Sequence, residues 1–209
     1  MTGVFVTIDG PGGAGKSTTT RLLCRSLAER GYPVHATTEP SYGHLGQIAR
    51  HGTDTYSGHA LACLVAADRY HHLRTEIHPK LATGHIVVCD RYVASSYILQ
   101  RLDGVPIEFI EAINAPADIP HLAVILTANP LVTTDRIARR GAHNRFESGV
   151  DTSRIEAELC ADTVTRLAER RYPLMTIDSA QTSPEQVVAM ITERTAQLAG
   201  VPHPAPTRA

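Results

Sequence analysis

The chain has 209 residues, 43% of them hydrophobic, which is enough for one domain with a buried core. Its formal charge is nearly balanced, with 20 basic and 21 acidic residues, and this argues against a general nucleic-acid-binding protein. No apolar run approaches the length of about 20 residues that spans a bilayer, and the N-terminus lacks a signal-peptide pattern. We therefore expect a cytoplasmic protein with neither nucleic acid nor membrane as a partner.

Short β-rich runs alternate with longer helical patterns. In the first part of the chain we predict a strand at Val4–Asp9, a helix at Lys16–Arg30, a strand at Val34–Thr38, and helices at Leu45–Arg50 and Gly58–Leu81, the second of which can break before Pro79. There follow a strand at Ile86–Cys89, helices at Ala94–Leu102 and Ile107–Ala112, a strand at Leu122–Thr127, helices at Leu131–Arg140 and Ser153–Arg171, and a strand at Leu174–Asp178. The last helix opens at Ser183-Pro184, where Gln186 completes a capping-box pattern. Continuously apolar strands between helices indicate a parallel sheet covered on both faces. We expect one α/β domain over residues 1–200 and a disordered tail over 201–209.

The segment after the first predicted strand matches the phosphate-binding pattern GxxxxGK[ST] and leads into a helix, as that motif requires. Glycines allow the backbone to curl so that its N–H groups point at phosphate oxygens. Lys16 is placed to reach the β- and γ-phosphates, and Ser17 to bind Mg²⁺. The predicted ATP site comprises Gly10, Pro11, Gly12, Gly13, Ala14, Gly15, Lys16, Ser17 and Thr18. The chain lacks an Asn-Lys-x-Asp motif, which disfavours a GTPase and favours a small-molecule kinase.

Several ordered motifs resemble those of thymidylate kinases, from about Val4 to Leu198. They are Ile8-Asp9-Gly10 with the phosphate loop, Thr38-Glu39-Pro40, Ala66-Ala67-Asp68-Arg69, Asp90-Arg91-Tyr92, and Arg136 and Arg140 with Arg145-Phe146-Glu147. The resemblance implies a P-loop NTPase fold, in which helices flank a five-stranded parallel sheet, with a small arginine-rich lid at about residues 137–150. It also implies the reaction of ATP with dTMP to give ADP and dTDP, and a homodimer.

Phosphoryl transfer depends mainly on positioning and on neutralising charge, so arginines are the expected catalytic groups. The resemblance implies that Arg91 and Arg50 hold the acceptor phosphate and that Asp90 joins Ser17 at Mg²⁺. The phosphate loop itself contains no arginine between Gly10 and Lys16. The arginine that acts on the transition state should therefore come from the lid, which leaves two candidates. The predicted catalytic set is Lys16, Arg91, Arg140 and Arg145.

The resemblance is weaker around the acceptor. Its implied acceptor-binding residues are Glu39, Arg50, Val65, Arg69, Arg91, Tyr92, Ser96, Tyr97 and Leu99. The family commonly has an acid at the position of Gly12, a base-stacking aromatic residue at Val65 and a tyrosine beside the sugar 2′ position at Leu99. The Glu-Pro motif is often preceded by arginine, where this chain has Thr38. Candidates for a replacement ring are Tyr42, Tyr92 and Tyr97.

Two alternatives follow from these departures. In the first, the acceptor is another pyrimidine nucleotide, modified or with a ribose, or a nucleoside-like metabolite. A different class is a regulatory protein that binds ATP without turnover. Retention of Lys16, Ser17, Asp90 and Arg91 argues against that second alternative.

Overall fold

A five-stranded parallel sheet runs through the computed structural model, which describes residues 3–141, 146 and 149–200. Neighbouring strands follow the order β2-β3-β1-β4-β5. Their bounds are β1 (Val4–Asp9), β2 (Val34–Thr38), β3 (Ile86–Asp90), β4 (Leu122–Thr127) and β5 (Leu174–Asp178). This confirms the predicted α/β class. The tail at 201–209 lies outside the described residues.

Helices occupy the intervals that the sequence predicts, with ends shifted by a few residues. They are α1 (Lys16–Glu29), α2 (His44–His51), α3 (Gly58–His72), α4 (His78–Ala82), α5 (Val93–Leu102), α6 (Ile107–Asn114), α7 (Pro130–Arg140), α8 (Gly149–Glu169) and α9 (Pro184–Ala199). Helix α9 begins with the expected capping box, because Ser183 Oγ accepts from Gln186 N and Gln186 Oε1 accepts from Ser183 N. Within the described ranges, no helix combines the length and the apolarity needed to cross a membrane.

The predicted helix over Gly58–Leu81 is divided in the structure. A π-helical stretch, Leu73–Ile77, separates α3 from α4. Proline has no N–H and its ring crowds the carbonyl four residues earlier, so a local widening of the helix before Pro79 accommodates both effects.

Both faces of the sheet are covered, as the apolar strands predict. Along β1, Phe5 belongs to the core cluster beneath α3, α5, α6 and α8, whereas Val4 and Val6 belong to the cluster beneath α1 and α9. Successive side chains of a strand point to opposite faces, and the two clusters follow this alternation.

The strand register brings three functional loops to one edge of the sheet. Ile8 of β1 and Thr38 of β2 both pair with Asp90 of β3. The segments that follow these three strands are the phosphate loop, Glu39-Pro40 and Arg91-Tyr92, and they meet at the carboxyl ends of parallel strands. Open α/β sheets place their ligands at this edge.

Candidate active site

The phosphate loop fits closely between β4 and α7. Gly10 has a φ of 139°, and a Cβ there would lie 2.2 Å from the carbonyl oxygen of Leu126. Gly13 has a φ of 74°, and its Cβ would lie 2.7 Å from the carbonyl oxygen of Thr133. Both positions combine a left-handed backbone with contact to another main chain, so neither tolerates a side chain. The loop shape that exposes N–H groups to a phosphate is therefore enforced by its surroundings.

Lys16 lies at the mouth of this loop and is 5% exposed. Its Nζ donates to the carbonyl oxygens of Gly10 at 2.8 Å and Pro11 at 2.7 Å. Burial, followed by the positive charge of Arg91, lowers the pKa of Lys16 to about 8. A poorly solvated ammonium group interacts strongly with an anion, so this site is suited to a polyphosphate.

Asp90, at the end of β3, lies beside Ser17 in the first turn of α1. Ser17 Oγ donates to Asp90 Oδ2 at 2.5 Å. The other carboxylate oxygen, Asp90 Oδ1, is buried and has no hydrogen-bond partner among the described residues. Hydroxyl and carboxylate oxygens are the ligands that Mg²⁺ prefers, and an unpaired carboxylate oxygen fits the ion that the family implies.

A cavity of about 720 Å³ extends from the phosphate loop, and we call it the donor cavity. Among its lining residues are Lys16, Ser17, Thr18, Arg50, Asp90, Arg91 and Arg140. Arg140, one of the two candidate lid arginines, thus lines the same cavity as the phosphate loop, and its catalytic role stays a prediction. The second lid candidate, Arg145, lies outside the described residues, as does Glu147.

A smaller cavity, of about 110 Å³, lies on the other side of Arg91, and we call it the acceptor cavity. Of the predicted acceptor-binding residues, those that line it are Glu39, Arg50, Val65, Arg69, Arg91, Tyr92, Ser96 and Leu99. Further lining residues that the sequence analysis did not select include Leu61, Gln100 and Phe146. Gln100 Oε1 is buried and has no hydrogen-bond partner in the described ranges, so the cavity offers an acceptor atom as well as apolar surface.

Tyr97 is the member of the predicted set that lines neither cavity. It is 1% exposed and belongs to the hydrophobic core, whereas Leu99, two residues later on α5, faces the acceptor cavity. Of the three candidate replacement rings, Tyr92 lines the acceptor cavity, and Tyr42 lines the donor cavity with 72% of its surface exposed. The guanidinium carbon of Arg50 lies 5.3 Å from the centre of the Tyr42 ring.

The two cavities share Arg50 and Arg91. Arg91 has a φ of 74°, unusual for a non-glycine residue, and its N–H donates to the carbonyl oxygen of Ile8 at 2.9 Å. Arg50 donates to the carbonyl oxygen of Pro40. Arg50 Nε and Arg91 Nη1 are buried without a hydrogen-bond partner in the described part of the chain. Two cationic groups with unused donors therefore lie where the cavities join.

Arg69 is fully buried and organises the wall of the acceptor cavity. Its Nε donates to Glu39 Oε2 at 2.7 Å and its Nη2 to Ser96 Oγ at 2.9 Å. Its Nη1 donates to Asn114 Oδ1, and the guanidinium carbon lies 5.2 Å from the centre of the Tyr92 ring. These partners come from three separate segments: the one that follows β2, the start of α5 and the end of α6. Arg69 thus holds these segments together at the cavity.

Asp9 has a positioning role that the sequence analysis missed. Its Oδ1 accepts from Tyr92 N at 2.7 Å, Ser95 N at 3.0 Å and Ser95 Oγ at 2.6 Å. These bonds fix the start of α5, which carries Ser96 and Leu99. Burial raises the pKa of Asp9, although the bonds from Ser95 and Tyr92 oppose that change. An acid at the end of β1 is visible in the sequence, but its partners more than 80 residues away are not.

A second group, Glu39, His72 and Cys89, places three possible metal ligands within 4.8 Å of one another. Glu39 already pairs with the Arg69 guanidinium, and His72 Nε2 lies 2.8 Å from Thr37 Oγ1. Burial lowers the pKa of His72, but the hydrogen bond and charge of Glu39 outweigh that effect and raise it. A metal ion would add positive charge beside a buried arginine, so this group is better explained as a structural network.

The fold and the two joined cavities define a P-loop phosphotransferase that acts on a small molecule. A thymidylate kinase family model matches residues 8–191. The chain therefore belongs to the thymidylate kinase family, as the sequence motifs indicated.

Curated relatives cover most of the chain. A protein of Pyrobaculum calidifontis described as a probable thymidylate kinase is 36% identical over 201 residues, covering 93% of this chain and 99% of the relative. One of Caldivirga maquilingensis with the same description is 36% identical over 176 residues, covering 82% and 84%. The thymidylate kinase of Clavibacter sepedonicus is 39% identical over 166 residues, covering 76% and 75%.

Proposed function

We propose that this protein transfers the γ-phosphate of ATP to dTMP, which yields ADP and dTDP. The observation that carries the proposal is the junction of the donor and acceptor cavities at Arg50 and Arg91. Nucleotides bound on the two sides would present their phosphates to the same pair of guanidinium groups. The names of the curated relatives support dTMP as the acceptor.

In the proposed step, an oxygen of the dTMP phosphate forms a bond to the γ-phosphorus of ATP. The bond from that phosphorus to the β–γ bridging oxygen breaks, and ADP leaves with the electron pair. Lys16 and the loop amides hold the β- and γ-phosphates. The unused donors of Arg50 and Arg91 orient the acceptor phosphate, and a planar guanidinium suits this task.

Charge that develops between the two nucleotides needs further cations. We assign this role to Arg140, which lines the donor cavity, and keep Arg145 as a second candidate from the proposed lid at about 137–150. Ser17 and Asp90 would hold Mg²⁺. That ion, when bound, neutralises charge on the phosphate oxygens.

The acceptor cavity suits the nucleoside part of a nucleotide. Leu61, Val65 and Leu99 supply apolar surface, and the buried oxygen of Gln100 supplies a polar contact. The Glu39–Arg69 pair fixes the wall on which these contacts depend.

A second candidate is a kinase for a different pyrimidine nucleotide. Leu99 and Val65 line the acceptor cavity where the family pattern has aromatic residues, and Gly12 replaces an acid. Losing a stacked ring costs roughly 1–3 kcal/mol, on the scale measured for bases on aromatic side chains. Relaxed choice of base or sugar would follow if no other contact compensated.

The test is an ADP-release assay with ATP, Mg²⁺ and a panel of nucleoside monophosphates. Lys16→Ala is the inactive blank, and Lys80→Ala is a matched control because Lys80 lies on α4, away from both cavities. We expect strong stimulation by dTMP. Turnover restricted to other nucleotides would favour the second candidate. ATP binding without stimulation by any acceptor would indicate a regulatory protein.

We further propose a cytoplasmic homodimer. All four cysteines, Cys24, Cys63, Cys89 and Cys160, have free thiols, which suits a reducing compartment. Leu61 and Val65 on α3 are buried within the chain itself against Ala49, so they add no support for a contact with a second copy. Family membership therefore remains the support for the dimer, and sedimentation of the purified protein tests it.

A further inference from the structure

Helix α8 places a buried carboxylate against the phosphate loop. Glu156 is 2% exposed, and its Oε1 accepts a hydrogen bond from the N–H of Gly12 at 2.9 Å. The two residues are 144 positions apart, and neither the phosphate-loop pattern nor the family motifs described above include Glu156.

A buried carboxylate is costly, because removing its charge from water carries a penalty that only good partners offset. An apolar side chain at this position would avoid that penalty. Position 156 nevertheless holds an acid aimed at the backbone of the loop that binds phosphate. The simplest use of such a group is to fix that backbone.

A second contact reaches the next residue of the same loop. Arg136, on α7, donates from Nη1 to the carbonyl oxygen of Gly13 at 3.2 Å and from Nη2 to the carbonyl oxygen of Ser179 at 2.9 Å. Helices α7 and α8 also contact each other, since Thr134 Oγ1 donates a hydrogen bond to Ser153 Oγ at 3.1 Å. An acceptor on α8 and a donor on α7 therefore hold the N–H and the carbonyl of two adjacent residues of the loop, Gly12 and Gly13.

We propose that Glu156 is a positioning residue for ATP, and that its bond to Gly12 couples the position of α8 to the shape of the phosphate loop. With Arg136, it forms a two-point clamp on Gly12 and Gly13. The inference rests on the proposed role of this loop in binding ATP. It concerns binding of the donor alone.

The experiment measures ATP binding by calorimetry, with Mg²⁺ and without acceptor, for the full chain and five variants. Glu156→Ala removes the acceptor atom, and we expect it to raise the Kd for ATP about 10- to 100-fold, the range for losing a hydrogen bond to a charged group. Glu156→Gln retains an oxygen that can accept from Gly12, and we expect a Kd within about fivefold of wild type. Glu158→Ala is the matched control, because Glu158 is an exposed acid on the same helix.

Arg136→Met and its combination with Glu156→Ala complete a double-mutant cycle. Because both side chains hold adjacent residues of one loop, we expect the two effects on ATP affinity to be non-additive. The KM for the acceptor at saturating ATP should change less than twofold in Glu156→Gln.

Three results would overturn the proposal: wild-type ATP affinity in Glu156→Ala, equal losses in Glu156→Gln and Glu156→Ala, or strict additivity with Arg136→Met. If Glu156→Ala does not fold, Glu156→Met replaces it in the comparison, because methionine fills a similar volume and lacks the carboxylate oxygen that accepts from Gly12. Failure of dTMP as the acceptor would appear only in the turnover assay, so it is distinguishable from failure of this inference.

Discussion

The donor loop and the acceptor cavity lie side by side, but they are built differently. The phosphate-binding part of the donor side is one contiguous segment, Gly10–Ser17, whose own backbone supplies the N–H groups. The acceptor side is assembled mainly from side chains of α2, α3 and α5 and of the segments that follow β2 and β3. The buried Glu39–Arg69 pair holds these segments together. A local backbone motif leaves a recognisable pattern in the sequence. A surface made by long-range packing permits substitutions such as Val65 and Leu99, provided that its framework remains.

The largest effect should come from Arg91, one of the two arginines that line both cavities. Arg91→Lys keeps the charge but loses the planar, forked donor group at the junction of the cavities. We expect kcat to fall about 10²- to 10³-fold, the range for removing one preorganised electrostatic contact. Steady-state assays with ATP and dTMP measure this effect. Arg74→Lys, an exposed arginine outside both cavities, should retain wild-type kcat; equal activity in both variants would remove Arg91 from the proposed mechanism.

The buried Glu39–Arg69 ion pair, which supports the wall of the acceptor cavity, can be tested separately. Arg69→Met removes the guanidinium partner of the buried Glu39 carboxylate, so we expect the free energy of unfolding to fall by about 3–5 kcal/mol. Arg25→Met is the matched control, since Arg25 pairs with Glu29 at 2.8 Å on the surface, and that loss should cost at most about 1 kcal/mol. Urea denaturation compares the two. Similar losses would show that the buried pair is not the framework of the cavity.

The same distinction explains what could be predicted from the sequence. All five strands and the phosphate loop depend on local apolar runs and glycines, and the structure has them at the predicted positions. Ser96 and Leu99 were found through a motif that begins at Asp90. Asn114 and Gln100 were not found, because their roles depend on which segments pack together. Tyr97 shows the same difficulty within one helix, since only the packing of α5 shows that its ring enters the core.

The pKa of Lys16 gives a test of the donor side that needs no nucleotide. Burial lowers this pKa to about 8 from its ordinary value of 10.5. Below pH 8 the folded state therefore carries a free-energy cost for keeping Lys16 charged, and this cost falls as the pH rises above 8. Wild type should therefore gain stability relative to Lys16→Met, by roughly 2 kcal/mol between pH 7 and pH 10. Chemical denaturation in metal-free buffer measures this difference. A difference in stability that does not change with pH would mean that Lys16 has an ordinary pKa.

The smallest effect concerns the sugar. Leu99 faces the acceptor cavity, where the family pattern has a tyrosine that crowds the 2′ position. Leu99→Tyr should therefore lower kcat/KM for the 2′-hydroxy analogue of dTMP more than for dTMP itself, changing their ratio about tenfold, a size typical of discrimination by shape. Tyr97→Phe alters a core residue on the same helix and should leave the ratio within twofold. If the wild-type enzyme already rejects the 2′-hydroxy analogue strictly, other contacts exclude that hydroxyl. The acceptor cavity would then select deoxyribose without the tyrosine that the family pattern has at the position of Leu99.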